Sequence, residues 1–205
     1  MLMRSSHRPG MRRGAKGFTL IELAVTFTLL GILIAVGLPS FSTWVNNSKI
    51  RTVAESIQSG VRRAQTEALR LNQGTVLSLT NDQPAVNSNA VANGSNWSIQ
   101  TIVQFDRNVP VFVAGGTLAN VGSGVVVTGP VALCFNANGR LVDNPASTGV
   151  PGASCAASAK QFDISHQPVA SGDRPLRVLV AIGGQVRMCD PNRPTLSATS
   201  PDGCP

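Results

Sequence analysis

The sequence predicts an α+β protein: one long N-terminal helix, its first half transmembrane, packed on a C-terminal antiparallel β domain. Three observations carry this. Residues Phe18 to Leu38 form a 21-residue apolar run with no Lys, Arg or Asp. A helical spacing of apolar residues then continues to about Leu71. Beyond Gly74 the texture changes to short β-branched runs bounded by Gly, Pro and Asn.

The apolar run would span about 32 Å as a helix, against a hydrocarbon core of about 30 Å. Arg4, Arg8, Arg12, Arg13 and Lys16 precede it. By the positive-inside bias the N-terminus is cytoplasmic and the bulk of the chain emerges on the other side of the membrane, which predicts a single-pass protein. The charge of +7 is mostly a property of this leader, because Phe18 onward holds 12 basic and all 10 acidic residues. A pI near 10 is therefore weak support for a nucleic-acid partner. A secretory signal peptide, with Ala35-Val36-Gly37 as cleavage site, is the simpler alternative. The run is longer than the usual apolar region of about 7–15 residues, however, and Glu22 interrupts it where it should be most apolar.

Past Pro39 the residues Phe41, Trp44, Val45, Ser48, Val53, Ala54, Ile57, Val61, Ala64, Ala68 and Leu71 recur at spacings of three, four or five. Arg51, Arg62, Arg63 and Arg70 fall mostly on the other side. One helix over about residues 18–71 follows, with Gly74 as its stop signal. The expected strands are "TVLSLT", "WSIQTIVQFD", "GVVVTG", "VALCFN", "GRLVD" and "KQFDIS". They are followed by a hairpin in "RVLVAIGGQVRMCD", where Gly183-Gly184 signals a two-residue turn. "NANG" before Arg140 is a further tight turn. "VAGGT" and "VGSG" read as glycine turns, and three loops lie at 81–96, 144–159 and 190–205.

Cys134, Cys155, Cys189 and Cys204 all lie in the exported part, where an even number favours disulfides. Three pairings are open. Cys134–Cys155 and Cys189–Cys204 close loops locally, and the second would tether the tail, a closure of ~15 residues contributing about 3 kcal/mol.

Glu22 needs its own reason, since a carboxylate in the bilayer costs roughly 2.5–3.5 kcal/mol. The stretch Lys16-Gly17-Phe18-Thr19-Leu20-Ile21-Glu22-Leu23 resembles the leader junction of type IV pilins and type II secretion pseudopilins. The resemblance implies that a prepilin peptidase cuts between Gly17 and Phe18 and N-methylates Phe18. Glu22 then pairs with the new amine of a neighbouring subunit, because two opposite charges are tolerated in lipid only when paired. Pro39 stands where many members of that family kink the helix. "CFNANGRL" (134–141) and "LRVLVAIGGQVRMCD" (176–190) are similar to the FimT/GspH family of minor pilins and pseudopilins, FimU included. That similarity implies a pilin-like fold, with two small antiparallel sheets packed on the helix.

The organisation expected is a leader at 1–17, removed; a transmembrane segment at 18–39; a periplasmic amphipathic helix at 40–72; a β headgroup at 73–190; and a disulfide-tethered tail at 191–205. The function expected is a non-catalytic minor pilin that primes type IV pilus assembly. Its expected partners are other minor pilins, the major pilin, the prepilin peptidase and the inner-membrane assembly platform. A type II secretion pseudopilin is the alternative, and a DNA-binding pilin for natural transformation the second. DNA receptors of this kind carry a G-R-x-R motif in the last hairpin. Gly184-Gln185-Val186-Arg187 keeps only its second arginine, with Arg177 and Arg140 as flanking candidates for DNA binding. Trp97 is the only Trp outside the helix that bases could stack on.

No catalytic constellation, metal set or cofactor site is expected. Asp163, Ser165 and His166 hold the residue types of a triad, but neighbours on a strand point to opposite faces.

Overall fold

The computed structural model describes residues 17–102, 109–120, 122–143 and 148–205. The leader up to Lys16, the last four residues of "WSIQTIVQFD" and residues 144–147 of the expected loop lie outside these. Two units result, Met1–Phe41 and Ser42–Pro205. Helix α1 runs Leu20–Leu71.

In the second unit the helix buries Ile50, Val53, Ala54, Ile57, Val61, Ala64 and Ala68. This stripe follows from the three-and-four spacing read in the sequence. Its small members let the sheets approach closely, and at Gly60 an added Cβ would lie 3.2 Å from the Trp97 ring. The Trp97 indole N–H donates to Ser56 Oγ at 3.1 Å, so the buried ring keeps its polar atom satisfied.

Among the described residues nine strands follow: β1 Thr75–Thr80, β2 Asn96–Thr101, β3 Phe112–Thr117, β4 Val125–Thr128, β5 Ala132–Phe135, β6 Leu141–Val142, β7 Lys160–His166, β8 Leu176–Val180 and β9 Val186–Cys189. They form two antiparallel sheets, β3-β2-β1-β5-β6 and β4-β7-β8-β9. The fold is therefore the helix-plus-two-sheets architecture expected. Leu77, Leu79, Ile99, Leu133 and Phe135 of the first sheet share one core with Phe162, Ile164, Val178 and Val180 of the second. The first sheet is buried on its other face too, where Val76, Ala132, Cys134, Ile102, Val150 and Cys155 cluster beneath the loops. The sheets meet at one edge, where Leu141 N–H donates to the Ile182 carbonyl at 3.0 Å.

Three local readings need correction. "VAGGT" belongs to strand β3 and is not a turn. Its glycines are there because side chains pack over them: a Cβ at Gly116 would lie 2.5–2.8 Å from Trp97 ring atoms, and one at Gly115 would strike Pro84. The helix stops at Asn72, with φ 47°, rather than through Gly74. Gln73 N–H reaches the Ala68 carbonyl (3.1 Å) and Asn72 N–H the Leu69 carbonyl (3.3 Å), a Schellman closure with Asn72 in the left-handed position. Gly74 instead answers to packing, since a Cβ there would lie 3.0 Å from Ile102 Cδ1 and 3.1 Å from the Phe135 carbonyl oxygen.

The last hairpin is present, but its turn is not the two-residue type. Gly184 N–H donates to Ala181 O at 2.8 Å and Ala181 N–H to Gln185 O at 2.9 Å. Gly184, with φ 87°, takes the left-handed position of a three-residue loop with a bulge. "NANG" is built the same way. Gly139 N–H donates to Asn136 O (2.9 Å), Asn136 N–H to Arg140 O (3.0 Å), and Gly139 has φ 71°.

Candidate functional site

Gly17, Phe18 and Thr19 precede the helix. Thr19 is its N-cap: Oγ1 accepts the Glu22 N–H at 3.3 Å, and its carbonyl accepts the Leu23 N–H at 3.1 Å. Thr19-x-x-Glu22 has the spacing of a capping box, a pattern present in the sequence and missed when Glu22 is judged by polarity alone. Glu22 in the first turn also meets the positive end of the helix dipole. Following it, Leu20–Leu71 is long and apolar enough to cross a membrane. The two threonines inside the run hide their hydroxyls locally: Thr26 Oγ1 donates to Leu23 O (2.9 Å) and Thr28 Oγ1 to Val25 O (2.8 Å). The segment thus offers an exposed Gly17–Phe18 junction, a capped helix start and one carboxylate on an otherwise apolar surface.

Several headgroup arginines are engaged by other parts of the chain. On β8, Arg177 Nε donates to Asp163 Oδ1 of β7 at 2.6 Å, an ion pair on the outward face of the second sheet. Arg187 Nη2 donates to the Pro201 carbonyl at 3.0 Å, which ties β9 to the tail. Arg193 lies 3.4 Å from Asp202 and 3.9 Å from Asp190. Gln185, just before β9, and Arg140, just before β6, follow the two glycine-bulge turns, which converge. There Gln65 Nε2 of the helix donates to Gly139 O at 2.9 Å, and a Cβ at Gly184 would strike both groups. Of the four DNA-binding candidates, Arg177 and Arg187 are thus already engaged within the headgroup. Trp97 is buried in the core and offers no stacking face.

Asp163 is engaged by Arg177 and Gln161, while His166 Nδ1 lies 3.2 Å from the Pro168 carbonyl. Asp163 and His166 are thus engaged in separate contacts. Among the described residues no group of three or more His, Cys, Asp and Glu is placed to hold a metal ion.

The cysteines join as Cys134–Cys155 and Cys189–Cys204. The first links β5 to the loop that covers the first sheet. The second holds the tail, together with Asp190 N–H to Asp202 O (2.8 Å) and Leu196 N–H to Cys204 O (3.1 Å).

Comparison with known proteins locates the similarity. Residues 12–38 match the family model of the prokaryotic N-terminal methylation motif. The chain is 37% identical over 57 residues to the type IV narrow pilus major component PilA5 of Thermus thermophilus, covering 26% of this chain and 49% of that protein. It is 38% identical over 45 residues to the type IV major alpha-pilin of Moraxella bovis, covering 22% and 28%. The chain thus spans about half the length or less of these curated relatives. Among solved structures, the type IV minor pilin FimU of Pseudomonas aeruginosa aligns with TM-score 0.45 and 15% identity, over 76% of this chain and 95% of that one. The minor pseudopilin EpsH from the type 2 secretion system of Vibrio cholerae aligns with TM-score 0.45 and 13% identity, over 72% and 99%. At its N-terminus the chain is type IV pilin-like: it carries the prokaryotic N-terminal methylation motif over residues 12–38, which runs into the long helix α1.

Proposed function

We propose that the chain is a non-catalytic minor pilin that primes type IV pilus assembly. In this reading a prepilin peptidase cuts between Gly17 and Phe18 and methylates the Phe18 amine. The trimmed chain waits in the inner membrane, headgroup in the periplasm, until it enters a filament beside other minor pilins and the major pilin. Glu22 selects and registers the neighbour by pairing with its amine. The observation that carries the reading is the placement of Glu22 one turn into an exposed apolar helix that starts directly after the Gly17–Phe18 junction. Its cost in hydrocarbon is offset when an ammonium from another subunit lies against it.

Mass spectrometry of the membrane-extracted protein tests the first step. N-methyl-Phe18 as first residue is expected, whereas a start at Leu38 would mean ordinary signal peptidase and overturn the reading. Glu22→Ala is expected to leave processing intact and to reduce incorporation into filaments. Unchanged incorporation would refute the pairing. A type II secretion pseudopilin shares this chemistry, and recovery of the chain in sheared pili rather than in pseudopili separates the two. DNA uptake is the weaker reading, since Arg177 and Arg187 are held by Asp163 and by Pro201. On it, Arg187→Ala would abolish retardation of duplex DNA at low salt.

A further inference from the structure

Residues 167–175 join β7 to β8 and close onto the first helical turns of the headgroup. Asn47 grips this loop with both ends of its amide: Nδ2 donates to Gly172 O at 3.1 Å and Oδ1 accepts the Arg174 N–H at 2.7 Å. Gly172 lies so near the helix that an added Cβ would be 3.0 Å from Thr43 Cγ2. Within the loop, Ala170 N–H donates to Asp173 Oδ2 (2.8 Å) and Asp173 N–H to Ala170 O (3.1 Å). The neighbouring turn before β4 is fastened to the same stretch of helix, with Lys49 Nζ donating to Ser123 Oγ at 3.1 Å. Gln167 N–H then donates to Gly124 O at 2.7 Å and joins the two loops.

This fastening fixes the loop at a particular place along the chain. Thr43 follows the end of the apolar run at Leu38 by five residues, which cover about 8 Å as helix and at most about 18 Å extended. The headgroup layer on one side of a bilayer is about 5–8 Å deep. On the reading of residues 18–38 as a membrane span, we propose that the β7–β8 loop is a foot by which the headgroup rests on the lipid surface. Pro168, Val169, Ala170 and Ser171 all face outward, and Val169 is 70% exposed. Val169 enters the interfacial layer, while the exposed Arg174 supplies positive charge toward lipid phosphates, partly offset by Asp173; Lys49 is half-buried and its ammonium is engaged by Ser123. Trp44 belongs to the same level of the helix, and an indole is a favoured side chain at the membrane–water boundary. Continuity with the apolar segment is what favours lipid over a protein partner here. At the far end of the same sheet the β8–β9 turn that carries the exposed Ile182 meets the helix through Gly184 at Gln65, more than 20 residues beyond Thr43.

Full-length chain reconstituted in vesicles of phosphatidylcholine and phosphatidylglycerol tests this, with a fluorophore at Val169→Cys, Ser171→Cys or Ile182→Cys in separate samples. Lipids bearing a nitroxide on the headgroup are the quencher. Quenching at positions 169 and 171 is expected to exceed that at 182 by about threefold or more, because the layer reached is only about 5–8 Å deep. Equal quenching at the three positions in vesicle-bound protein overturns the foot and leaves the membrane span standing. Chain that fails to float with the vesicles overturns the span, and the foot with it.

Discussion

Between Leu20 and Leu38 every described apolar side chain of α1 is exposed, whereas seven apolar residues from Ile50 to Ala68 are buried against the sheets. The backbone is one helix throughout. What differs is the arrangement of the apolar residues. In the first stretch they go all round, so no single packing face exists, and a surrounding hydrocarbon solvent satisfies them. In the second they form a stripe, with Arg51, Glu55, Arg62 and Arg63 on the exposed side. Leu20, at 90% exposure, and Ile57, fully buried, are thus both doing what an apolar residue does. On the proposed reading their partner is lipid in one case and protein in the other.

A carboxylate placed in each stretch should break this comparison open. Ile57→Asp buries a charge with nothing arranged to pair it, a loss of about 3–5 kcal/mol, comparable with the whole stability of many domains. The cooperative thermal melt of the detergent-solubilised chain, followed by circular dichroism, should disappear. Leu33→Asp should leave that melt within about 2 °C of the parent, because the side chain touches no headgroup core. Its effect belongs in flotation with vesicles, where insertion weakens by roughly 3 kcal/mol. A headgroup destabilised by Leu33→Asp would mean that the two stretches are not separate in their energetics.

The headgroup holds a similar contrast on a smaller scale, between glycines that are packed and glycines that are open. At Gly116 an added methyl meets the Trp97 indole at 2.5–2.8 Å, and that ring is pinned by its bond to Ser56. Gly116→Ala should cost about 1–3 kcal/mol as overpacking. Gly183 has nothing within 4 Å and no positive φ, so Gly183→Ala should change stability by less than about 0.5 kcal/mol. Equal melting temperatures for the two variants would contradict the packing of β3 against Trp97.

These glycines show where sequence reading stops. β1, β5, β7 and the final hairpin were legible because their alternation and their turn residues lie within a dozen neighbours. β3 was not: the reason for Gly115 and Gly116 is supplied by Pro84 and Trp97 from other parts of the chain. Sequence put Gln185 and Arg187 near one another, as the register of β9 agrees. It had no means of knowing that the Pro201 carbonyl and Asp163 would occupy Arg187 and Arg177. The Thr19–Glu22 cap is the opposite case. It is wholly local and visible in the spacing, yet hidden by the more conspicuous oddity of a carboxylate in an apolar run.

The two ends of α1 carry the smallest effects and return to its two environments. Asn72 closes the packed end in the left-handed conformation, where a Cβ without a short polar side chain costs about 1 kcal/mol. Asn72→Ala should therefore lower the headgroup melting temperature by several degrees, while Asn72→Gly, free of that cost, should match or slightly exceed the parent. Thr19→Ala removes a cap worth about 1 kcal/mol to the first turn, but at the end that no headgroup residue covers. It should leave the melt unchanged and instead speed amide hydrogen exchange at Glu22, whose N–H loses its acceptor. Thr19→Ser, which keeps the hydroxyl, should restore protection there. If Thr19→Ala left exchange at Glu22 unchanged, the helix start would owe its position to its surroundings rather than to its own cap.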